Sequence, residues 1–104
     1  MRVLRDYQGL SVRLTDELLA HILEHPEMGG LEGAIEKTLA QPERVLESFS
    51  DPDARLYYRF YTGTAVGDKH LCVIVKHVGG DAFIVTAYLT DRVKRGVLIW
   101  PREQ

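Results

Sequence analysis

The 104-residue chain has one cysteine, four prolines and one tryptophan, and no apolar run that approaches the length needed to cross a membrane. A lone cysteine excludes an intrachain disulfide. Cys72 lies inside the apolar run Leu71-Cys72-Val73-Ile74-Val75, so it reads as a buried core thiol in a reducing cytoplasm. The N-terminus Met1-Arg2-Val3-Leu4-Arg5-Asp6 interrupts its apolar residues with charge and lacks the ~7 to 15 apolar positions of a secretory core. The expectation is a cytoplasmic protein with no signal peptide and no membrane partner.

A strong charge of either sign is also missing, since the net charge is only -2. The two halves nevertheless differ. Residues 1–52 carry 5 Lys/Arg against 10 Asp/Glu, or -5, and residues 53–104 carry 8 against 5, or +3. An asymmetry of this kind suits a polyanion approaching one face, although an ordinary mixed surface also produces it. With 45% hydrophobic residues, the chain can fill one core without a metal or disulfide staple, so one domain over 1–104 is expected, its core at about 14–100.

Helical signals fill the first half. Thr15 can cap a helix whose first turn holds Asp16 and Glu17, and Leu18, Leu19, Ile22 and Leu23 recur at helical spacing until Pro26. A second helix is expected from about Leu31 to Ala40, with Gly30 and Gly33 weakening its first turn. Residues Arg44 to Ser50 fit either a strand or a further helical turn, and Asp51-Pro52-Asp53 is a turn. From Arg55 onward the residues are those of strands: Leu56 to Tyr61, Leu71 to Val78, Ala82 to Leu89 and Val97 to Trp100. The separators Gly63 to Asp68 and Gly79-Gly80-Asp81 are too short for crossover helices, so the strands should form an antiparallel meander. The expected fold is α+β, with N-terminal helices packed on a C-terminal four-stranded antiparallel sheet.

Residues 21–25 read His-x-x-Glu-His, the pattern in which two histidines one helical turn apart hold zinc beside a glutamate base. It lacks an evident third ligand, Pro26 follows at once, and no metal or other cofactor is expected. Two polar residues on the rim of an amphipathic helix account for the pair more simply than a zinc site does. The remaining candidates suit RNA cleavage through the neighbouring 2′-hydroxyl, which needs a base, an acid and donors for the phosphorane. His21, His25 or His77 can serve as acid or base, Arg59, Lys76 or Lys94 can neutralise phosphate, and Thr86 and Tyr88 can donate hydrogen bonds. Tyr57, Tyr58 and Tyr61 read first as core or sheet-face residues.

A resemblance joins these pieces. The order His21-Ile22-Leu23-x-His25-Pro26-Glu27, Leu56-Tyr57-Tyr58-Arg59, Lys69-x-Leu71-x-Val73-x-Val75-Lys76, Phe83 to Tyr88 and Lys94-x-Gly96 resembles small prokaryotic and phage-associated domains. These are grouped with the barnase, EndoU, colicin and RelE-like nucleases, the BECR fold. The likeness spans about residues 14–100, and its Phe-Ile-Val-Thr-Ala-Tyr element is also a good generic strand. It implies a metal-independent toxin-type endoribonuclease acting on RNA such as tRNA or mRNA, held in check by a cognate antitoxin or immunity protein. By that likeness His21 and His25 are the acid/base candidates, Thr86 and Tyr88 the polar pair on the central strand, and Arg59, Lys76 and Lys94 the phosphate contacts. The strongly basic surface of the RelE-like toxins is absent. A non-catalytic binding module on the same fold is the alternative, and a zinc protein built on His21 and His25 a more distant one.

Sheet register decides which residues can share a site. A two-residue loop at Gly79-Gly80 sets Val78 against Asp81 and places Thr86 and Tyr88 on the face of His77, whereas a three-residue loop exchanges His77 for Lys76.

Overall fold

The computed structural model describes residues 1–102. Its framework is a seven-stranded sheet: β1 (Arg2–Arg5), β2 (Ser11–Leu14), β3 (Arg44–Ser48), β4 (Ala54–Thr64), β5 (Gly67–Val78), β6 (Asp81–Thr90) and β7 (Gly96–Trp100). The spatial order is β1-β2-β6-β5-β4-β3-β7. Helix α1 (Asp16–Leu23), a 3-10 turn over Pro26–Met28 and helix α2 (Glu32–Ala40) lie between β2 and β3.

This corrects the expected fold. The N-terminal region opens with a β-hairpin rather than a helical layer, and the sheet has seven strands, not four. It is also mixed, because β2 runs parallel to β6 at Arg13 and Phe83 while the other pairings are antiparallel. The hairpin forms because Val12 and Leu14 alternate with exposed or half-exposed Ser11 and Arg13, a half-buried strand too short to announce itself. The meander of β4, β5 and β6 pairs antiparallel through short loops, and the Val78–Asp81 pair leaves the two-residue loop Gly79-Gly80, with Gly79 at φ +61.

Alternation along the central strands sorts the core into two faces. Tyr57, Leu71, Val73, Val75, Ile84 and Ala87 join Val12, Leu14, Ile22, Met28, Ile35 and Leu39 under the helices. Leu46, Leu56, Tyr58 and Cys72, with Ile74, Tyr88 and Val93, form a second cluster on the other face. The sheet curls around the helical side, since Tyr7, just past β1, lies 5.3 Å from Trp100 of β7 although these strands are opposite ends of the order. The helical side is therefore the inner face. The second cluster lies on the outer face, where Val93 of the β6–β7 loop packs on it.

Polar contacts hold the helices in place. Thr15 accepts from the Leu18 N–H at the start of α1. In α2, buried Thr38 donates to the Ala34 carbonyl at 2.7 Å, and the Tyr61 hydroxyl donates to the same carbonyl at 3.0 Å, which ties the helix to β4. No helix of the described residues is long and apolar enough to cross a membrane.

Candidate functional site

The eight candidate residues fall in four places. His21 and His25 are on and just after α1, but the helix turns Ile22 inward, and the His21 side chain is 68% exposed, 3.7 Å from Glu24. The His21 and His25 rings are 6.0 Å apart. Among the described residues no group of three or more His, Cys, Asp or Glu gathers to hold a metal ion. An acid or base acting with Thr86 and Tyr88 would have to face the sheet, but one step of about 100° from buried Ile22 puts His21 outside.

Thr86 and Tyr88 occupy the outer face, opposite Ile74 and Cys72, so the sheet separates them from α1. The two-residue hairpin loop is present, and His77 does pair with Ala82. A register shift then inserts Val85, so that Ile84 pairs with Val75 and Thr86 with Ile74. One extra residue reverses the alternation. Thr86 and Tyr88 consequently share their face with Lys76, not His77.

Around Tyr88 the outer face is closely packed. Tyr58 and Tyr88 flank the buried Cys72 thiol, the Lys94 N–H donates to the Tyr58 hydroxyl at 3.1 Å, and the Lys94 ammonium lies 5.8 Å from the Tyr88 ring centroid. Burial pushes both phenols and the thiol above their ordinary pKa values. At neutral pH Tyr58 and Tyr88 therefore stay protonated and serve only as hydrogen-bonding groups. Lys76 pairs with Asp51 at 3.1 Å, and that hydrogen bond holds the Asp51 carboxyl below the usual carboxylate range. Arg59 donates to the Gln41 carbonyl at 2.7 Å, capping the end of α2 on the inner face. The structure thus brings Thr86, Tyr88, Lys76 and Lys94 to one face and leaves His21, His25, Arg59 and His77 elsewhere.

Beside that group lies a hollow of about 250 Å³ lined by Glu43, Arg44, Tyr58, His70 and Val93. Strand pairing sets Phe60 against His70, with ring centroids 4.9 Å apart, and His70 also meets the Tyr58 ring edge-on at 6.4 Å. Phe60 is 43% exposed. The Glu43 carboxylate accepts from the Phe60 N–H at 2.6 Å, and Arg44 is exposed. These residues were missed because their meeting depends on the β3–β4 and β4–β5 registers. The one available signal was the period-two series His70, Cys72, Ile74.

His77 lines a different hollow, of about 460 Å³, with Arg5, the Gly9–Ser11 segment and residues 79–82. Burial pushes its imidazole below the ordinary value, Arg55 adds to this, and Asp6 opposes it. The unfolded chain takes up a proton near pH ~6.5 that the folded chain resists, so stability should fall as pH drops below that value. The slope should be no steeper than about 1.4 kcal/mol per pH unit, and the loss should stop below the folded-state pKa. Urea denaturation at pH 7.5 and 5.5 should show this component in the wild type and not in His77→Gln. An identical pH dependence in both proteins would assign it to other groups.

No family model matches the chain, and neither does any curated protein or solved structure.

Proposed function

We propose that this protein is a binding module that takes single-stranded RNA on the outer face of its sheet, without cleaving it through His21 or His25. The observation that carries the reading is the ring pair of exposed Phe60 and half-buried His70, with Arg44 beside it and Lys94 across the same face. Unpaired bases stack on rings presented by a sheet, while neighbouring cations meet the phosphates and hydroxyls such as Thr86 add hydrogen bonds. Proton transfer through α1 is not supported, because the sheet lies between its histidines and Thr86 and Tyr88.

A specific observation favours a second reading, metal-independent endoribonuclease action. The smaller hollow collects a carboxylate (Glu43), an imidazole (His70), a guanidinium (Arg44) and a phenol (Tyr58). These group types can supply base, acid and phosphorane stabilisation to an attacking 2′-hydroxyl. One experiment separates the two. A labelled 12-nucleotide oligouridylate in EDTA should bind and remain intact, more weakly as salt is raised. Phe60→Ala should weaken binding by about fivefold to a hundredfold, the usual worth of one stacked base. No binding at low salt, or unchanged binding by Phe60→Ala, would remove the RNA reading. Product ends bearing 2′,3′-cyclic phosphate, lost in His70→Ala, would replace the module with the nuclease.

A further inference from the structure

Strand β7 ends the strand order, so its outer rim pairs with no strand among the described residues. Its sequence is Gly-Val-Leu-Ile-Trp, without charge or proline, and Val97 and Leu98 are 52% and 44% exposed. The opposite edge differs. Strand β1 begins and ends in arginine, and Arg2 pairs with Glu32 of α2. Charge on an edge strand discourages further pairing, and β7 has no such protection.

Beside β7 lies a hollow of about 410 Å³ with Leu46, Leu98 and Pro101 as its apolar lining and Arg44 and Arg102 as its cations. Glu43 also lines it, its carboxylate accepting from the Phe60 N–H, so two cations face one anion in the hollow. Arg95 stands immediately before the strand and Arg102 two residues after it. An open edge gives a peptide backbone its hydrogen bonds, and an adjoining pocket selects its side chains.

We propose that β7 is a docking edge for an extended segment of another protein, apolar at alternate positions and acidic at both ends, which adds an eighth strand. Five residues at ~3.3 Å each make β7 about 17 Å long, and with Tyr7 packed on its last residue, Trp100, the segment pairs along Gly96–Ile99. The charge pattern argues against a second copy of this chain. Antiparallel pairing of two β7 strands centred on Leu98 sets Lys94 of each opposite Arg102 of the other, like charge against like. An acidic-ended strand meets both with the opposite sign.

The probe is a heptapeptide of alternating valine and threonine with glutamate at both ends, compared with the same peptide ending in lysine. Titrated into the full chain and followed by amide NMR, the glutamate peptide should shift Val97–Trp100 and slow their hydrogen exchange. It should bind about tenfold more tightly than the lysine peptide, and Arg44→Glu with Arg102→Glu should reverse that order. Both arginines are exposed on the surface, so the variant should keep the wild-type fold, which its remaining amide spectrum checks. Equal binding of the two peptides, or shifts confined to other strands, would overturn the proposal. So would a dimer abolished by Leu98→Lys, which would make a second copy the occupant, or protection of the β7 amides by oligouridylate alone.

Discussion

Asp6→Ala should cost about 3 kcal/mol of stability and lower the melting temperature by roughly 12 to 24 °C, as followed by denaturant and thermal unfolding. Asp6 is only 4% exposed and accepts three hydrogen bonds: from the Tyr57 hydroxyl at 2.8 Å and from the Gln8 and Leu10 amides at 2.9 Å each. The first joins the β1–β2 loop to the central strand β4, and the other two shape the loop itself. Removing the carboxylate strands the buried Tyr57 hydroxyl, whose burial and contact with Asp6 hold it well above the usual phenol pKa. A Tyr57→Phe change deletes only one bond and should cost about 1 to 2 kcal/mol. If Asp6→Ala costs less than Tyr57→Phe, the carboxylate is not the tie between hairpin and sheet.

That tie was illegible because no spacing rule connects Asp6 to Tyr57, 51 residues on. Other parts were readable for local reasons. Thr15 caps α1, the alternation of Leu71, Val73 and Val75 marks β5, and Gly79-Gly80 marks the turn between β5 and β6, although its two-residue length was one of two open possibilities. The N-terminal hairpin was hidden because Arg2–Arg5 and Ser11–Leu14 are only four residues each and mix arginine with apolar side chains. Strand β3 left helix and strand open, since Arg44–Ser48 becomes a strand only by pairing with β4 and β7. The site was harder than the fold. Phe83, Ile84, Val85 and Thr86 are all good strand residues, so nothing local identifies Val85 as the extra one, yet that residue decides which face Thr86 and Tyr88 occupy. His70 and Glu43 come together only through two registers, and the histidines with the more conspicuous spacing, His21 and His25, face outward.

The second large effect is expected at Gly96, where β7 begins. A Cβ there would lie 2.4 Å from the Glu47 carbonyl oxygen and 3.1 Å from the Leu46 Cβ, both on the neighbouring strand β3. Neither neighbour is the end of a flexible side chain, so the backbones must separate. Gly96→Ala should therefore destabilise the chain by about 2 kcal/mol, the usual cost of forcing atoms into a packed contact, with β7 leaving β3 first. Hydrogen exchange should localise the damage: amides of Val97–Trp100 should exchange faster, while those of β5 keep their protection. Gly80→Ala is the matched control, because a Cβ there meets nothing within 4 Å and Gly80 is not among the positive-φ glycines. It should change stability by less than about 0.5 kcal/mol. The same Gly96→Ala protein should lose the glutamate-ended heptapeptide while keeping oligouridylate, because Phe60 and His70 belong to β4 and β5. Loss of both ligands together would mean that the two surfaces depend on a common rearrangement of the sheet.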